Sequence, residues 1–356
     1  MQNVLHAGAC DFERNGRRPT ITDVAREAGV SPSTVSHVFS RRRPTSARTD
    51  ERVHAVAEAL GYRPSLTAQT LVTGRSRLIA LVVPDLLNPF YASVAGGVEE
   101  AAAEAGLSVI IGNTDMRAEK EDHLVGVLEA RGVDGIVFIT DVRARQPALE
   151  RLARRGTPIV TLDEEVEGGF HLVAVDNEGG SRQVAEHLIA LGHRRLGVVA
   201  GLAGLPTTRA RLRGFRAGLG PCLLPSSRIV YADDRLEGGR HAARGLLGGR
   251  DRPTALFATN DLMALGAVAA ARELRLGVPQ DVSIVGFDDI PFAALADPPL
   301  TTVAQPAADL GRVAATMLLD AMRTPDEPAM RVQLPVELVV RASTAPVPAD
   351  RSPEDS

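Results

Sequence analysis

Hydrogen-bonding side chains stand where short apolar runs of the sequence end. They are mainly carboxylates and amides: Asp85, Asn88, Asp163, Asp176-Asn177, Asn260-Asp261 and Asp288-Asp289. Fixed groups of this kind suit a polyhydroxylated or otherwise polar ligand, because each ligand hydroxyl can both donate and accept a hydrogen bond. These residue types therefore favour reversible binding of a small polar molecule.

The same residues do not form a pattern typical of an enzyme. The sequence contains no nucleophile elbow, phosphate-binding loop, Gly-rich dinucleotide fingerprint or His/Cys set with metal-ligand spacing. Asp288 and Asp289 are a carboxylate pair, but adjacent residues in a loop need not point to one reaction centre. Cys10 and Cys222 lie far apart without a CxxC partner, which argues against a disulfide framework or a structural zinc site. We therefore expect no enzymatic activity, no cofactor and no metal.

Strands and helices alternate from residue 78 onward. The predicted strands are 78–83, 108–111, 135–139, 158–162, 196–200, 228–231, 255–258 and 282–285. The predicted helices are 91–105, 119–131, 178–191, 208–218 and 262–275. Continuous apolar strands between helices predict parallel sheets covered on both faces, and the two series predict two lobes. Because ligands of such sheets bind beyond the carboxyl ends of the strands, the cleft between the lobes is the expected site.

Length and composition are those of an ordinary globular protein. The 356 residues predict two or three compact units, and 44% hydrophobic with 24% charged residues is a typical balance. No apolar run approaches the roughly 18 residues that a membrane span needs. The first 20 residues lack an apolar core of signal-peptide length. We therefore expect a cytoplasmic protein that does not enter a membrane.

Charge is distributed unevenly along the chain. Residues 1–77 contain 12 Arg, no Lys and 7 acidic residues, whereas the remainder carries 28 basic and 37 acidic residues. A basic head therefore precedes an acidic body, although the net charge of the whole chain is -4. This asymmetry indicates an anionic partner for the head, such as nucleic acid.

The basic head contains three predicted helices, at about 21–28, 32–39 and 47–60. Thr20 and Asp23 give a capping-box-like start, and Gly29 ends the first helix. Ser31 and Pro32 are suited to the cap and first position of the second. Two short helices joined by a tight turn, with a third in support, are typical of a helix-turn-helix unit, whose second helix lies in the major groove.

Three motifs of the head resemble the LacI/GalR family of bacterial transcriptional repressors. They are Thr20 to Ser31 (TITDVAREAGVS), Thr34 to Val38 (TVSHV) and Gly61 to Pro64 (GYRP). The resemblance continues through the body and implies a fold made of an all-α helix-turn-helix head and an α/β two-lobed, periplasmic-binding-protein-like body with parallel sheets. The chain would cross between the two lobes three times.

The resemblance also implies which residues contact DNA. They are Thr22, Pro32, Ser33, Thr34, Ser36, His37, Arg41, Arg42 and Leu71. His37 departs from the commonest residue at its position, which is Arg, and matches the purine-repressor branch. A histidine donates only one well-directed bond to a base edge, so the preferred base is left open. Arg41 and Arg42, with Arg43, would contact phosphates, which adds affinity without reading sequence.

Residues 65–73 form a candidate helix that is too short to be stable alone in water. By resemblance this is the hinge helix, which pairs with its copy from a second subunit in the minor groove. Leu71 would then be wedged between central base pairs, unstacking them and bending the duplex. The segment is expected to gain its order from the partner helix and from DNA.

The family's effector contacts map onto Asp163, Arg211, Asn260, Asp288 and Gln305. Many relatives place an aromatic residue against the ligand where this sequence has Asp234, so Phe90 and Tyr91 would have to supply any stacking. Asn260 has an alternative role, because it could simply cap the following helix. The Thr301-Thr302-Val303-Ala304-Gln305-Pro306 segment is expected to form the last crossover between lobes.

These features together predict a sequence-specific transcriptional repressor. It would bind double-stranded operator DNA as a homodimer under the control of a small polar effector, a carbohydrate in the simplest case. A solute receptor of a transporter would share the body, but it would carry an export signal and no DNA-binding head. The predicted divisions are a leader over 1–19, the head over 20–64, a hinge and linker over 65–77, the body over 78–344 and a disordered tail over 345–356. The residues leave open whether the effector releases the protein from DNA or recruits it.

Replacing Leu71 with alanine tests the wedge. L71A is expected to weaken operator binding and to straighten the bound duplex, because the side chain that unstacks the central step is lost. Ligand binding should be unaffected. A circularly permuted bending assay measures the angle, and an unchanged bend in the L71A complex would refute the wedge.

Overall fold

The computed structural model describes residues 19–40, 43–63, 75–139, 147–163, 166–222, 224–325 and 327–347. The chain divides into two compact units at the Ser76–Arg77 boundary, here called the head and the body. Arg41, Arg42 and Leu71 lie outside the described residues, as does the predicted hinge helix. Within the described ranges, no helix combines the length and the apolar character that a membrane crossing requires.

The head is the predicted three-helix unit. Its helices are α1 (Ile21–Ala28), α2 (Pro32–Ser40) and α3 (Ala47–Ala59). The Asp23 carboxylate accepts from the Thr20 amide at 2.9 Å, which completes the capping box. Gly29 has φ 63°, a left-handed conformation that lets the chain turn at once into α2. Apolar side chains from all three helices form one core: Val24, Ala25, Ala28, Val35, Val38, Val53, Val56 and Ala57.

The body contains two six-stranded sheets. Its strands are β1 (Leu78–Val83), β2 (Ser108–Asn113), β3 (Gly135–Phe138), β4 (Ile159–Leu162), β5 (His171–Val175), β6 (Leu196–Ala200), β7 (Ile229–Tyr231), β8 (Ala255–Ala258), β9 (Ser283–Asp288), β10 (Thr301–Ala304), β11 (Arg331–Leu334) and β12 (Glu337–Val339). The first lobe has the strand order β11-β5-β4-β3-β1-β2, and the second has β12-β10-β9-β8-β6-β7. All pairings are parallel except that of β12 with β10. The predicted fold of two lobes with parallel sheets is therefore confirmed.

Helices cover both faces of each sheet. The body helices are α4 (Pro89–Glu104), α5 (Ala118–Arg131), α6 (Pro147–Arg154), α7 (Asn177–Ala190), α8 (Pro206–Gly218), α9 (Leu236–Leu247), α10 (Asp261–Glu273), α11 (Pro291–Leu295) and α12 (Ala307–Ala321). The chain crosses between lobes after β5, after β10 and between β11 and β12, which gives the three expected crossings. The elements that the sequence did not predict are β5, β10, β11, β12, α6, α9, α11 and α12.

Two local predictions are wrong. Thr301–Ala304 is not crossover but strand β10, which pairs with β9 and β12, and the crossover begins at Gln305. Buried β-branched residues such as Thr301 and Thr302 fit a pleated sheet interior despite their hydroxyls. Strand β9 also continues to Asp288, so that residue ends the strand rather than following it. Arg211 lies inside α8, within the helix predicted over 208–218.

The α4–α12 crossing depends on glycine. A Cβ atom added to Gly311 would lie 2.1 Å from the Val94 carbonyl oxygen, and one added to Gly97 would lie 1.9 Å from the Ala308 oxygen. Both contacts are with backbone, which cannot move aside as a flexible side chain can. The two helices therefore approach so closely that only hydrogen fits at these positions.

Gly311→Ala is expected to destabilise the body by about 1–3 kcal/mol, because the added methyl overpacks this crossing. Gly126→Ala is the matched control, since its Cβ would meet nothing within 4 Å in α5 and alanine favours the helix. Urea unfolding followed by circular dichroism measures both. Equal unfolding midpoints for the two variants would show that the crossing tolerates a side chain.

Candidate functional site: a DNA-facing helix and an interlobe cavity

Helix α2 has one polar face that is directed to solvent and one apolar face that packs into the head core. Val35 and Val38 are buried in the head core, whereas Pro32 and Ser33 are exposed. The Ser31 hydroxyl lies 2.7 Å from that of Ser33 and 2.8 Å from that of Thr34. It also accepts from the Thr34 amide at 3.1 Å, so the start of the helix is capped as predicted.

The remaining predicted DNA contacts in the described part of the head lie on α1 and α2. Thr22 is exposed on α1, and Ser36 and His37 are half-buried on α2. Nδ1 of His37 is buried and has no hydrogen-bond partner among the described residues. Nε2 is therefore the ring nitrogen left for an outside partner such as a base edge.

A cavity of about 490 Å³, its open mouth included, lies between the two lobes of the body. Its lining contains all seven predicted effector residues: Phe90, Tyr91, Asp163, Arg211, Asn260, Asp288 and Gln305. It also contains residues that sequence analysis missed: Met116, Leu205, Thr207, Thr208 and Thr259. Isolated threonines before or within a helix carry no sequence signal that would have distinguished them from surface residues.

Arg211 is the centre of this cavity's polar network. Its Nε donates to Asn177 Oδ1 at 2.7 Å, and its Nη1 donates to the Thr259 carbonyl oxygen at 2.6 Å. Its guanidinium nitrogens lie 4.0 Å from Asp163 Oδ2 and 3.8 Å from Asp288 Oδ1. The guanidinium also stacks on a buried ring, with Cζ 3.9 Å from the Phe287 centroid. Arg211 is only 7% exposed, so these partners replace its hydration.

The N-termini of two helices supply the amides of the site. Asp176 caps α7 by accepting from the Gly179 amide at 2.8 Å, which leaves Asn177 free to accept from Arg211. Asn260 caps α10, because its Oδ1 accepts from the Met263 amide at 2.8 Å, and the residue also lines the cavity. Gln305 Nε2 donates to Asp288 Oδ1 at 2.7 Å.

Burial raises the pKa of all three carboxyls in the lining, Asp163, Asp234 and Asp288, because the charged form is removed from water. The Arg211 charge opposes this effect at each of them. All three residues also have positive φ, at 66°, 62° and 126° respectively. Such backbone is costly for residues other than glycine and concentrates at functional sites.

Comparisons with known proteins identify the chain. The model of bacterial regulatory proteins, lacI family, matches residues 20–65, and that of the periplasmic binding protein-like domain matches residues 185–344. The HTH-type transcriptional regulator DegA of Bacillus subtilis (strain 168) is 37% identical over 335 residues, covering 93% of this chain and 99% of that protein. This chain belongs to the lacI family.

Solved structures of relatives have the same architecture. The lac repressor dimer bound to operator and the anti-inducer ONPF superposes with a TM-score of 0.82 at 30% identity, over 92% of this chain and 100% of that one. The transcriptional regulator CelR in complex with cellobiose gives 0.70 at 33% identity, over 92% and 100%. This lacI-family member is therefore a DNA-binding transcriptional regulator with a helix-turn-helix head and a periplasmic-binding-protein-like body.

An ion-pair cluster joins the lobes of this lacI-family regulator beside the cavity. Arg235, in the second lobe, donates through Nε to Asp85 at 3.1 Å and through Nη2 to Asp115 at 2.6 Å, both in the first lobe. Lys120 lies 3.2 Å from the same Asp115. The Arg235 side chain is 41% exposed, so solvent screens these pairs and each contributes little alone. Their position makes them sensitive to the angle between the lobes.

A buried carboxyl lies directly behind the cavity. Asp261 is fully buried at the start of α10, where it accepts from the Thr302 hydroxyl at 2.5 Å and the Ile290 amide at 2.9 Å. Burial raises its pKa from 3.8 to about 7, while these two hydrogen bonds work in the opposite direction. Because the folded state holds this proton more tightly than the unfolded state, its stabilising effect is complete below about pH 4 and is lost as pH rises through about 7.

The substitution Asp261→Asn tests whether the raised pKa of Asp261 affects the stability of the fold. Between pH 5 and pH 8 the free energy of unfolding of the wild type should fall relative to that of D261N, which has no carboxyl to ionise. Asparagine can still accept from Ile290, and the Thr302 hydroxyl can turn to accept. Urea unfolding at both pH values measures the difference, and parallel pH dependence in the two proteins would contradict a raised pKa.

Proposed function

We propose that this regulator is a repressor that binds operator DNA as a homodimer and senses a small polar, sugar-like effector in the interlobe cavity. The observation that carries the proposal is the cavity's composition: fixed carboxyls, amides and a guanidinium from both lobes surround one space. Such groups match the alternating donors and acceptors of a polyhydroxylated ligand.

The DNA-binding part rests on the polar face of α2. Pro32, Ser33 and His37 would face base edges, with Thr22, Thr34 and Ser36 close by, and Arg41 and Arg42 would contact phosphates. Pro32 offers only an apolar contact, for instance to a thymine methyl, whereas His37 offers one directed hydrogen bond. Leu71 of each protomer would bend the duplex between the two half-sites.

The effector part rests on the division of the lining between lobes. Phe90, Tyr91 and Asp163 come from the first lobe, whereas Arg211 and Asn260 come from the second. A ligand that touches both sets binds best at one lobe angle and so shifts the population towards it. The cellobiose bound by the CelR relative supports a sugar-like ligand for this chain.

The lobe angle would then control the hinge segments that precede the body. A coupling of about 1–3 kcal/mol per site changes operator affinity by roughly 5- to 150-fold. The ion pairs of Arg235 with Asp85 and Asp115 would favour one lobe angle over others, because they form only when these residues face each other across the cleft.

Two single substitutions should separate the two activities. Arg211→Lys keeps the charge between Asp163 and Asp288 but cannot make the same planar set of bonds to Asn177 and Thr259, so it should lose the effector response while binding operator normally. His37→Ala breaks no hydrogen bond within the described head and should lose operator affinity while binding effector normally.

Operator sites from genome-wide footprinting and a panel of sugars provide the assay, with DNA binding followed by fluorescence anisotropy and effector binding by calorimetry. An effector response that survives in R211K would contradict the assignment of the cavity. If no member of a broad panel of polyhydroxylated ligands changes the operator affinity of the wild type, the proposed function itself is contradicted.

A further inference from the structure

The interlobe cavity has an excess of negative charge. Among the described residues that line it, the charged side chains are the carboxyls of Asp163, Asp234 and Asp288 and the guanidinium of Arg211. One guanidinium thus faces three carboxyls, and the lining carries a formal charge of -2 when all are ionised. With a neutral sugar this imbalance could be relieved only by protonation, in keeping with the raised pKa of each carboxyl.

Three side chains of the lining already direct a nitrogen at a protein oxygen, and one buried acceptor has no donor within the described part of the chain. Arg211 Nη1 donates to the Thr259 carbonyl oxygen, Asn260 Nδ2 to the Asp234 carbonyl oxygen and Gln305 Nε2 to Asp288 Oδ1. Gln305 is only 7% exposed, and its Oε1 is buried without a hydrogen-bond partner among the described residues. A buried acceptor is costly until a donor reaches it. The structure therefore favours a ligand rich in donors.

Asp234 is the carboxyl with the weakest compensation. It accepts from two neutral groups, the Leu202 amide at 3.1 Å and Asn260 Nδ2 at 3.3 Å. The adjacent Arg235 does not neutralise it, because that side chain turns away to Asp85 and Asp115. Burial accordingly raises the pKa of Asp234, with the more distant Arg211 charge acting against the rise.

We propose that the effector is a polyhydroxylated molecule carrying a protonated amine, of the amino sugar or aminocyclitol class, and that Asp234 selects the amine. The inference rests on the proposed effector function. An ammonium brings one positive charge and three donors, which compensate the excess of carboxyls in this lining. The ligand hydroxyls would be bound by Asp163, Arg211 and Asn260. Sugar phosphates and sugar acids would add to the negative charge and bind worst.

Matched trios of ligands test the proposal on the full-length protein. Each trio contains a neutral sugar, its amino analogue in the protonated form and its phosphate: glucose, glucosamine and glucose 6-phosphate, with the corresponding galactose and disaccharide sets. Calorimetry should show the amino member of a trio binding on the order of tenfold or more tightly than its neutral partner.

Two variants assign the preference. Asp234→Asn keeps the size of the side chain and an oxygen for the Leu202 amide, and it should reduce the amine preference to about twofold or less. Asp297→Asn removes the same charge from a side chain that is 97% exposed on the same lobe, outside the cavity lining, and should preserve the preference.

The possible outcomes distinguish a failure of the amine proposal from a failure of the proposed effector function. Neutral sugars that bind as tightly as their amino analogues would overturn the amine proposal and leave the effector function intact. An amine preference that persists in D234N would overturn the role of Asp234. If no member of any trio shows saturable binding, both the proposed sugar-like effector and the amine proposal are refuted.

Discussion

The position of Arg211 is the constraint on which the body's binding site depends. Its guanidinium stacks on Phe287, bonds to Asn177 and Thr259, and supplies the cation for Asp163 and Asp288. Two carboxyls that repel each other are stable in this little-exposed space because the guanidinium offsets the desolvation cost of both. Without the guanidinium, two carboxyls would be left buried and uncompensated.

This arrangement also links the site to the geometry of the two lobes. Asp163 directly follows strand β4 of the first lobe, whereas Arg211 and Asp288 belong to the second lobe. The cavity's electrostatics therefore depend on how the lobes face each other, and the Arg235 cluster beside it has the same dependence. A ligand that completes the network at one lobe angle can change the angle at equilibrium, which is the property that an effector-controlled regulator needs.

Much of this could be predicted from sequence because the signals are local. The caps at Thr20 and Ser31 and the turn at Gly29 follow from residue type, and the seven predicted effector residues line one cavity. Contacts made through the fold gave no such signal. Asn177 reads as part of the Asp176 cap, although it bonds to Arg211, and nothing local places Phe287 beneath that guanidinium.

The errors have a similar origin. Thr301–Ala304 was expected to belong to the last crossover between lobes, but strand pairing on both sides and burial make it an interior strand of the sheet. Asp288 was expected beyond a strand, but it is the last residue of β9 with φ 126°, a strained conformation that composition does not reveal. In both cases tertiary context overrides the local pattern.

The most direct test of the account is a crystal structure of the regulator with a ligand that changes its operator affinity. We predict electron density for that ligand between the lobes, in contact with Arg211 and with side chains from both sheets. Density confined to one lobe, or at the surface depression lined by Arg272 and Arg275, would contradict the account.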